Sequence, residues 1–216
     1  PYTTLFRSIP AHIFEDEEAA CARLAEKIVE SINACNGVFK LGLTTGTSPV
    51  PLYQELVKKY EAGEVSLKNV EIYSIDEYYP APADNHSRNR RLYEELVAKI
   101  DIAKENVHAP KLTEVHDSNY VTEFCAKYDE MASGLDLLIM GTGEKGQIGF
   151  NEAGSSDISR TRTVQLSYSS RKRQVKNFAG NMDETPHSAI ALGISTMMSA
   201  KKVYLIGWGE DKAQVV

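Results

Sequence analysis

Apolar residues recur along the chain in two alternating patterns. Between residues 15 and 34 they fall at four-residue steps, the spacing of one helix face, and Gly37 follows as a stop signal. Residues 38–43 instead form a short, nearly continuous apolar run, which is typical of a buried strand. Because the two patterns go on alternating along the chain, the sequence predicts an α/β protein.

The predicted elements define one layered domain. Helices are expected over residues 15–34, after Pro49, and over residues 90–100 and 120–132. Strands are expected at residues 38–43, 70–75, 135–140, 188–192 and 203–206. Nearly continuous apolar strands that alternate with helices predict a doubly wound, mainly parallel sheet with helices on both faces.

The two ends of the chain carry separate expectations. Residues 1–8 have no start methionine and match the translation of a sequencing-adapter oligonucleotide, so we expect them to be a non-native artefact. Residues 9–216 form the single predicted domain. The chain stops just after a strand and the beginning of a helix, so we expect this domain to be incomplete at its C-terminus.

Composition narrows the possible partners. The net charge of −6 argues against general nucleic-acid binding, which needs a clustered basic face. No apolar run approaches the roughly 18 residues that a membrane span needs, and no signal peptide is visible. The three cysteines show neither metal nor disulfide spacing, which favours a reducing cytoplasm.

The turn after the first predicted strand reads TTGTSP, residues 44–49. A turn rich in glycine and hydroxyl groups that opens a helix can bind a phosphate through backbone N–H groups and the helix dipole. The alternative is a simple helix cap by Thr47 or Ser48, with Pro49 at the first helical position. In the phosphate interpretation the candidate ligands are Thr45, Gly46, Thr47 and Ser48.

Two adjacent carboxylates, Asp76 and Glu77, follow the second predicted strand. Such a pair can supply one base and one group that orients a neighbour. The alternative is an ordinary solvated acidic turn.

A third polar turn, GTGEKGQIGFNE, spans residues 141–152 after another apolar strand. Its glycines allow close backbone approach, and Asn151 and Glu152 follow a buried aromatic residue. The alternative is a glycine-rich turn with surface charges. Cations downstream, among them Lys176 and Lys212, are candidates for pairing with a phosphate, although basic runs usually form a solvated face.

Together these motifs resemble the glucosamine-6-phosphate deaminase (isomerase) family, whose fold is shared with 6-phosphogluconolactonase. The resemblance rests on five blocks: residues 43–49, 76–79, 86–106, 146–162 and 208–213. Lactonases typically end the second block in arginine and lack Phe-Asn-Glu in the fourth. Both differences place this chain on the amino-sugar side.

The resemblance implies a reaction without a metal or other cofactor. Glucosamine 6-phosphate opens its ring, isomerises through a cis-enolamine, and gives fructose 6-phosphate and ammonia. Asp76 would move the C2 proton and Glu152 would assist ring opening. The phosphate would be held by residues 45–48, Lys212 and Lys176, where the family usually has an arginine. Supporting positions would be Glu77, Gly146 and Asn151.

One departure from the family concerns ring opening. The family reads Asp-Gly-His where this chain has Lys145-Gly146-Gln147. An amide cannot protonate the ring oxygen, and general acid–base assistance is worth roughly 10²–10⁴-fold. Three functions stay open: a deaminase or isomerase acting on glucosamine or galactosamine 6-phosphate, a non-catalytic sugar-phosphate sensor, and a lactonase-like hydrolase.

The resemblance extends to regulation and assembly. Ser155 and Arg162 match positions that bind an allosteric sugar phosphate in regulated members. The neighbouring family lysine is Val164 here, so we expect weak regulation or none. Many relatives are homohexamers, which makes a homo-oligomer an expectation for this chain.

Overall fold

A computed structural model of the chain describes residues 10–215, apart from the side chains of Asp84 and Asp211, so the expectation for residues 1–8 lies outside the described residues. The helices are α1 (Glu17–Asn33), α2 (Val50–Glu61), α3 (Arg90–Glu95), α4 (Ser118–Met131), α5 (Tyr168–Gln174) and α6 (Ile194–Met198). The strands are β1 (Phe39–Leu43), β2 (Val70–Ser74), β3 (Asp76–Tyr79), β4 (Val107–His108), β5 (Leu137–Gly141), β6 (Arg162–Gln165), β7 (Ser188–Ala191) and β8 (Val203–Ile206).

The main sheet has five parallel strands in the order β4-β2-β1-β5-β8. Leu41 and Ile139 point to one face, where they pack with buried side chains of α1, α2 and α3. Leu138 and Met140 point to the other face, against α4 and α6. Alternate side chains of one strand therefore enter two cores, as a parallel sheet with both faces covered requires. The predicted α/β fold class is confirmed.

A second sheet differs from the prediction. Residues 188–192 were expected to extend the parallel sheet, but β7 lies between β3 and β6 in a three-stranded antiparallel sheet. The chain leaves the main sheet at Ile75, so the first strand of this second sheet begins at Asp76. Short apolar runs do not specify which sheet they join, because periodicity reports burial and not partners.

Helix boundaries follow their capping residues. Asp16 caps α1 through the N–H of Ala19, and Asp117 caps α4. The helix predicted for residues 90–100 is shorter, since α3 ends at Glu95 and a 3-10 turn follows. Sequence patterns did not predict α5. No helix among residues 10–215 is long and apolar enough to cross a membrane.

Candidate functional site

Residues that follow the carboxyl ends of β1, β5 and β8, together with Tyr78 of β3, surround an open cleft of about 780 Å³. The backbone N–H of Thr44 donates to the Ile139 carbonyl oxygen (2.9 Å), and Ile75 N–H donates to the Leu43 carbonyl oxygen (3.2 Å). These bonds continue the sheet pairing by one residue and fix where the following turns begin. The edge of the sheet where ligands bind in open α/β folds is therefore the edge that carries the polar motifs.

The turn of residues 44–48 lines the cleft at the start of α2. Gly46 has φ +92°, a conformation that favours glycine. The residue before α2 is Pro49, and no side chain caps this helix. The alternative in which Thr47 or Ser48 serves as a helix cap is therefore wrong. Both residues are exposed at the cleft, beside the positive end of the helix dipole.

Asp76 is fully buried next to this turn. Its Oδ1 accepts a hydrogen bond from the Thr45 hydroxyl and another from Arg88 Nε at 3.2 Å. Its Oδ2 has no hydrogen-bond partner among the described residues. A Cβ atom on Gly149, which lines the cleft, would lie 3.0 Å from Oδ2. Asp76 itself does not line the cleft, and Gly149 is the cleft residue that lies against Oδ2.

Glu77 is also fully buried, but its oxygens are fully used. They accept from the backbone N–H of Tyr78 (2.8 Å), the backbone N–H of Arg88 (2.9 Å), the Ser87 hydroxyl and the Asn89 side-chain amide (2.9 Å). Three of these four donors belong to residues 87–89. Glu77 thus fixes the turn that carries Arg88 against the site.

Arg88 is a site residue that the sequence analysis missed. Its guanidinium forms an ion pair with Asp76 and lies 4.9 Å from the ring centroid of Phe150. Burial by itself would lower the pKa of Arg88, but the neighbouring acidic groups, Asp76 foremost, together raise it, so the group stays charged. A cation directly after His86 and Ser87, which belong to one of the blocks that carry the family resemblance, was the only sequence signal that could have indicated this residue.

Tyr78 forms part of the cleft floor beside Arg88. Its ring packs between Phe150 and Phe178, and its buried hydroxyl has no well-formed hydrogen bond among the described residues. Burial raises the pKa of Tyr78 to about 12, so the phenol is protonated at neutral pH. It can donate a hydrogen bond to a ligand.

The third turn brings Gln147 to the cleft, but not Lys145. The Gln147 amide folds back over Gly143, where a Cβ atom would lie 2.2 Å from Cδ, and its Oε1 accepts from Lys145 N–H at 3.0 Å. The Lys145 ammonium is exposed, 3.5 Å from the Ser169 hydroxyl. Gly146 has φ +76° and lies at the exposed tip of this turn.

Glu152 lies behind the cleft wall. Its Oε1 accepts from the hydroxyls of Ser167 (3.0 Å) and Ser170, both at the start of α5. Ser170 in turn lines the cleft. Asn151 is buried and donates to the Leu192 carbonyl oxygen (2.8 Å), which ties the turn to the second sheet. Both side chains hold the third turn in place in this structure.

The remaining predicted residues lie in two groups. Lys176 and Lys212 both line the cleft, as do residues 44–48. Ser155 and Arg162 lie together outside it, with the Arg162 guanidinium donating to the Ser155 hydroxyl at 3.3 Å. The structure therefore brings the proposed phosphate ligands into one cleft and the proposed allosteric pair into contact elsewhere.

The fold and the cleft define an α/β protein with a glycine- and hydroxyl-rich turn next to a buried carboxylate. The chain matches, over residues 15–216, the family described as glucosamine-6-phosphate isomerases/6-phosphogluconolactonase, and it belongs to that family.

Individual relatives agree with this assignment. A putative glucosamine-6-phosphate deaminase-like protein of Bacteroides thetaiotaomicron is 36% identical over 99% of this chain, which spans 33% of that relative. Glucosamine-6-phosphate deaminase 2 of Bacillus subtilis is 35% identical over 94% of this chain and 82% of its own length. The solved structure of a monomeric glucosamine-6-phosphate deaminase superposes with a TM-score of 0.82 at 26% identity, covering 91% of this chain and 81% of that one.

Proposed function

We propose that this chain is a hexosamine-6-phosphate deaminase/isomerase that releases ammonia from glucosamine 6-phosphate or galactosamine 6-phosphate. The observation that carries the proposal is the state of Asp76. One carboxylate oxygen is fixed by Thr45 of the anion-binding turn and by Arg88, and the other has no partner and faces Gly149 at the cleft. That is the arrangement of a held base with one oxygen available for a proton.

The neighbouring turn supplies the orientation that proton transfer at C2 needs. Because Thr45 bonds directly to Asp76, a phosphate held by residues 45–48 lies at a fixed offset from the base. Lys176 and Lys212 add positive charge on the same cleft. Anchoring a remote phosphate lets binding energy position the reacting carbon, which is a large part of the catalytic effect for such substrates.

Ring opening is the weak step of this site. The amide of Gln147 can accept or donate a hydrogen bond to a ring oxygen but cannot transfer a proton to it. Glu152 is bonded to Ser167 and Ser170, so it supports the wall of the cleft and does not line it. We infer that Asp76 acts mainly on the open-chain form, which arises without the enzyme, and that the rate with cyclic substrate is reduced.

The test is ammonia release from each hexosamine phosphate by the wild-type protein and by Asp76→Asn. Loss of a general base should lower turnover by roughly 10²–10⁴-fold, while the affinity for the phosphosugar changes little. Asp136→Asn is the matched control, because Asp136 precedes β5 at the end remote from the cleft and pairs with Lys201 (2.6 Å). That variant should keep wild-type turnover.

Two other results would replace the proposal. Phosphosugar binding without any ammonia release, unchanged by Asp76→Asn, would make the protein a sensor. Hydrolysis of 6-phosphogluconolactone in place of ammonia release would make it a lactonase.

We place the protein in the reducing cytoplasm, which suits three free cysteines. Its oligomeric state and the binding role of Ser155 and Arg162 stay predictions.

A further inference from the structure

Arg88 presents two different edges of its guanidinium to the site. The Nε edge donates to Asp76 Oδ1 at 3.2 Å. The other edge lies against the anion-binding turn, where a Cβ atom on Gly46 would be 3.3 Å from Nη1 and 3.8 Å from Nη2. The buried Tyr78 hydroxyl interacts with this guanidinium without reaching hydrogen-bond geometry. A forked pair of donors is therefore held beside the turn.

The structure fixes this group from three sides. Its backbone N–H donates to Glu77 (2.9 Å), and its carbonyl oxygen accepts from Gly46 N–H (3.2 Å). The face of the guanidinium lies over Phe150, and the side chain is 17% exposed. An arginine held in this way loses little conformational entropy when it binds an anion, and its planar fork matches two oxygens of a tetrahedral phosphate.

We infer that Arg88 is a phosphate ligand of this cleft. Nη1 and Nη2 donate to two oxygens of a phosphomonoester bound at residues 45–48, while Nε stays on Asp76. This inference rests on the proposed function for its substrate, a sugar phosphate, and adds to it the source of the forked contact. Lys176 by itself can provide only a point charge.

The charge balance of the cleft agrees with this role. The Asp76 carboxylate pairs with the Nε edge of Arg88 and offsets its positive charge. A phosphate dianion therefore needs further positive charge nearby. Lys176, Lys212 and the N-terminus of α2 supply it around the same cleft. One guanidinium then bridges the phosphate and the base, and it sets the distance between the phosphate and the reacting carbon.

Calorimetric titration with inorganic phosphate tests the contact without requiring turnover. Arg88→Met should weaken phosphate binding roughly 10- to 100-fold, the loss expected for charge-assisted hydrogen bonds. Arg88→Lys should lose less, because the charge remains and the fork does not. Fructose 6-phosphate in a second titration should follow the same order, which shows that a phosphomonoester and free phosphate share the site.

Arg91→Met is the matched control. Arg91 also lines the cleft, but it pairs with Glu94 (3.6 Å) and Glu95 (3.5 Å), and its charge is screened at physiological ionic strength. It should change phosphate affinity by less than about twofold. An equal loss in the two methionine variants would reduce the effect to general electrostatics and overturn the inference.

The outcomes separate this inference from the proposed function. Unchanged phosphate affinity in Arg88→Lys and Arg88→Met overturns the inference, even if ammonia release depends on Asp76. If phosphate affinity depends on Arg88 but the wild-type protein releases no ammonia, the inference is supported and the proposed enzymatic function is refuted. If the methionine variant does not fold, Arg88→Lys decides alone: weakened phosphate binding supports the contact, and wild-type binding refutes it.

Discussion

Gly149→Ala tests whether the unpartnered oxygen of Asp76 is the functional one. Gly149 has φ +58°, and an added Cβ atom would lie 3.0 Å from Asp76 Oδ2 and 3.5 Å from Ile75 Cδ1. The first distance is shorter than an ordinary van der Waals contact, so the methyl group has to displace the carboxylate or cover it. Either change blocks the Gly149 side of Oδ2, which is the side that the proposed function assigns to the substrate.

The expected loss of stability in Gly149→Ala has two parts. A non-glycine residue in the left-handed region costs about 1–2 kcal/mol, and an overpacked methyl group costs about 1–3 kcal/mol more. Gly154→Ala isolates the first part, because Gly154 has φ +90° and a Cβ atom there would meet no atom within 4 Å. Urea unfolding should therefore show a clearly larger loss of stability for Gly149→Ala than for Gly154→Ala.

Ammonia release is then measured well below both unfolding midpoints. We expect Gly149→Ala to lose at least about tenfold in turnover, since a general base contributes roughly 10²–10⁴-fold and the methyl group blocks it. Gly154→Ala should stay close to wild type. A folded Gly149→Ala protein with the turnover of Gly154→Ala would refute the assignment of Oδ2 as the reacting oxygen.

The remaining predictions concern ring opening, acid stability and thiol reactivity. The double variant Gln147→His with Lys145→Asp should raise ammonia release, because an imidazole and an orienting carboxylate would restore a proton donor. Unchanged or lower turnover would contradict our account of Gln147. Burial would raise the pKa of Asp129, but hydrogen bonds from Thr196 and Thr161, together with the charge of Arg160, lower it. The ionised Asp129 carboxylate therefore stabilises the fold above its unfolded pKa, and this stabilisation disappears as pH falls. Urea unfolding should show Asp129→Asn less stable than wild type at pH 7. The difference in free energy of unfolding should narrow below about pH 4. Of the three cysteines, only Cys35 should react with a thiol reagent in the native protein at pH 8, because burial raises the pKa of the other two to about 11; native labelling of all three would contradict this.

The parts of the fold that sequence predicted are those that depend on local pattern. The strands β1, β2, β5 and β8 were recognisable as apolar runs, and parallel strands place their carboxyl ends together whatever their order. This is why three separate polar turns could be expected to meet. The pairing of β7 with β3 and β6 was not predictable in the same way, since it depends on where the chain leaves the main sheet.

The parts of the site that sequence missed depend on contacts between distant residues. Arg88 reaches Asp76 only because Glu77 holds residues 87–89, and no local pattern reports that contact. Glu152 looked like a ligand-facing carboxylate, whereas its oxygen is bonded to Ser167 of a helix that the pattern did not predict. In each case the residue type was visible in the sequence and its direction was not.

In the proposed function, the adjacent acids Asp76 and Glu77 have different roles, one in the reaction and one in the structure. Successive residues of β3 point to opposite faces, so the two carboxylates enter different surroundings. Glu77 meets a cluster of donors from residues 87–89 and cannot give up any of them without leaving a buried group unpaired. Asp76 meets one hydroxyl and one guanidinium on a single oxygen, which leaves the other oxygen for a ligand. Exchange of their roles would require the strand to shift by one residue, and that shift would also turn Tyr78 out of the cleft floor. The register of a short antiparallel strand therefore determines which of the two acids can act as the base.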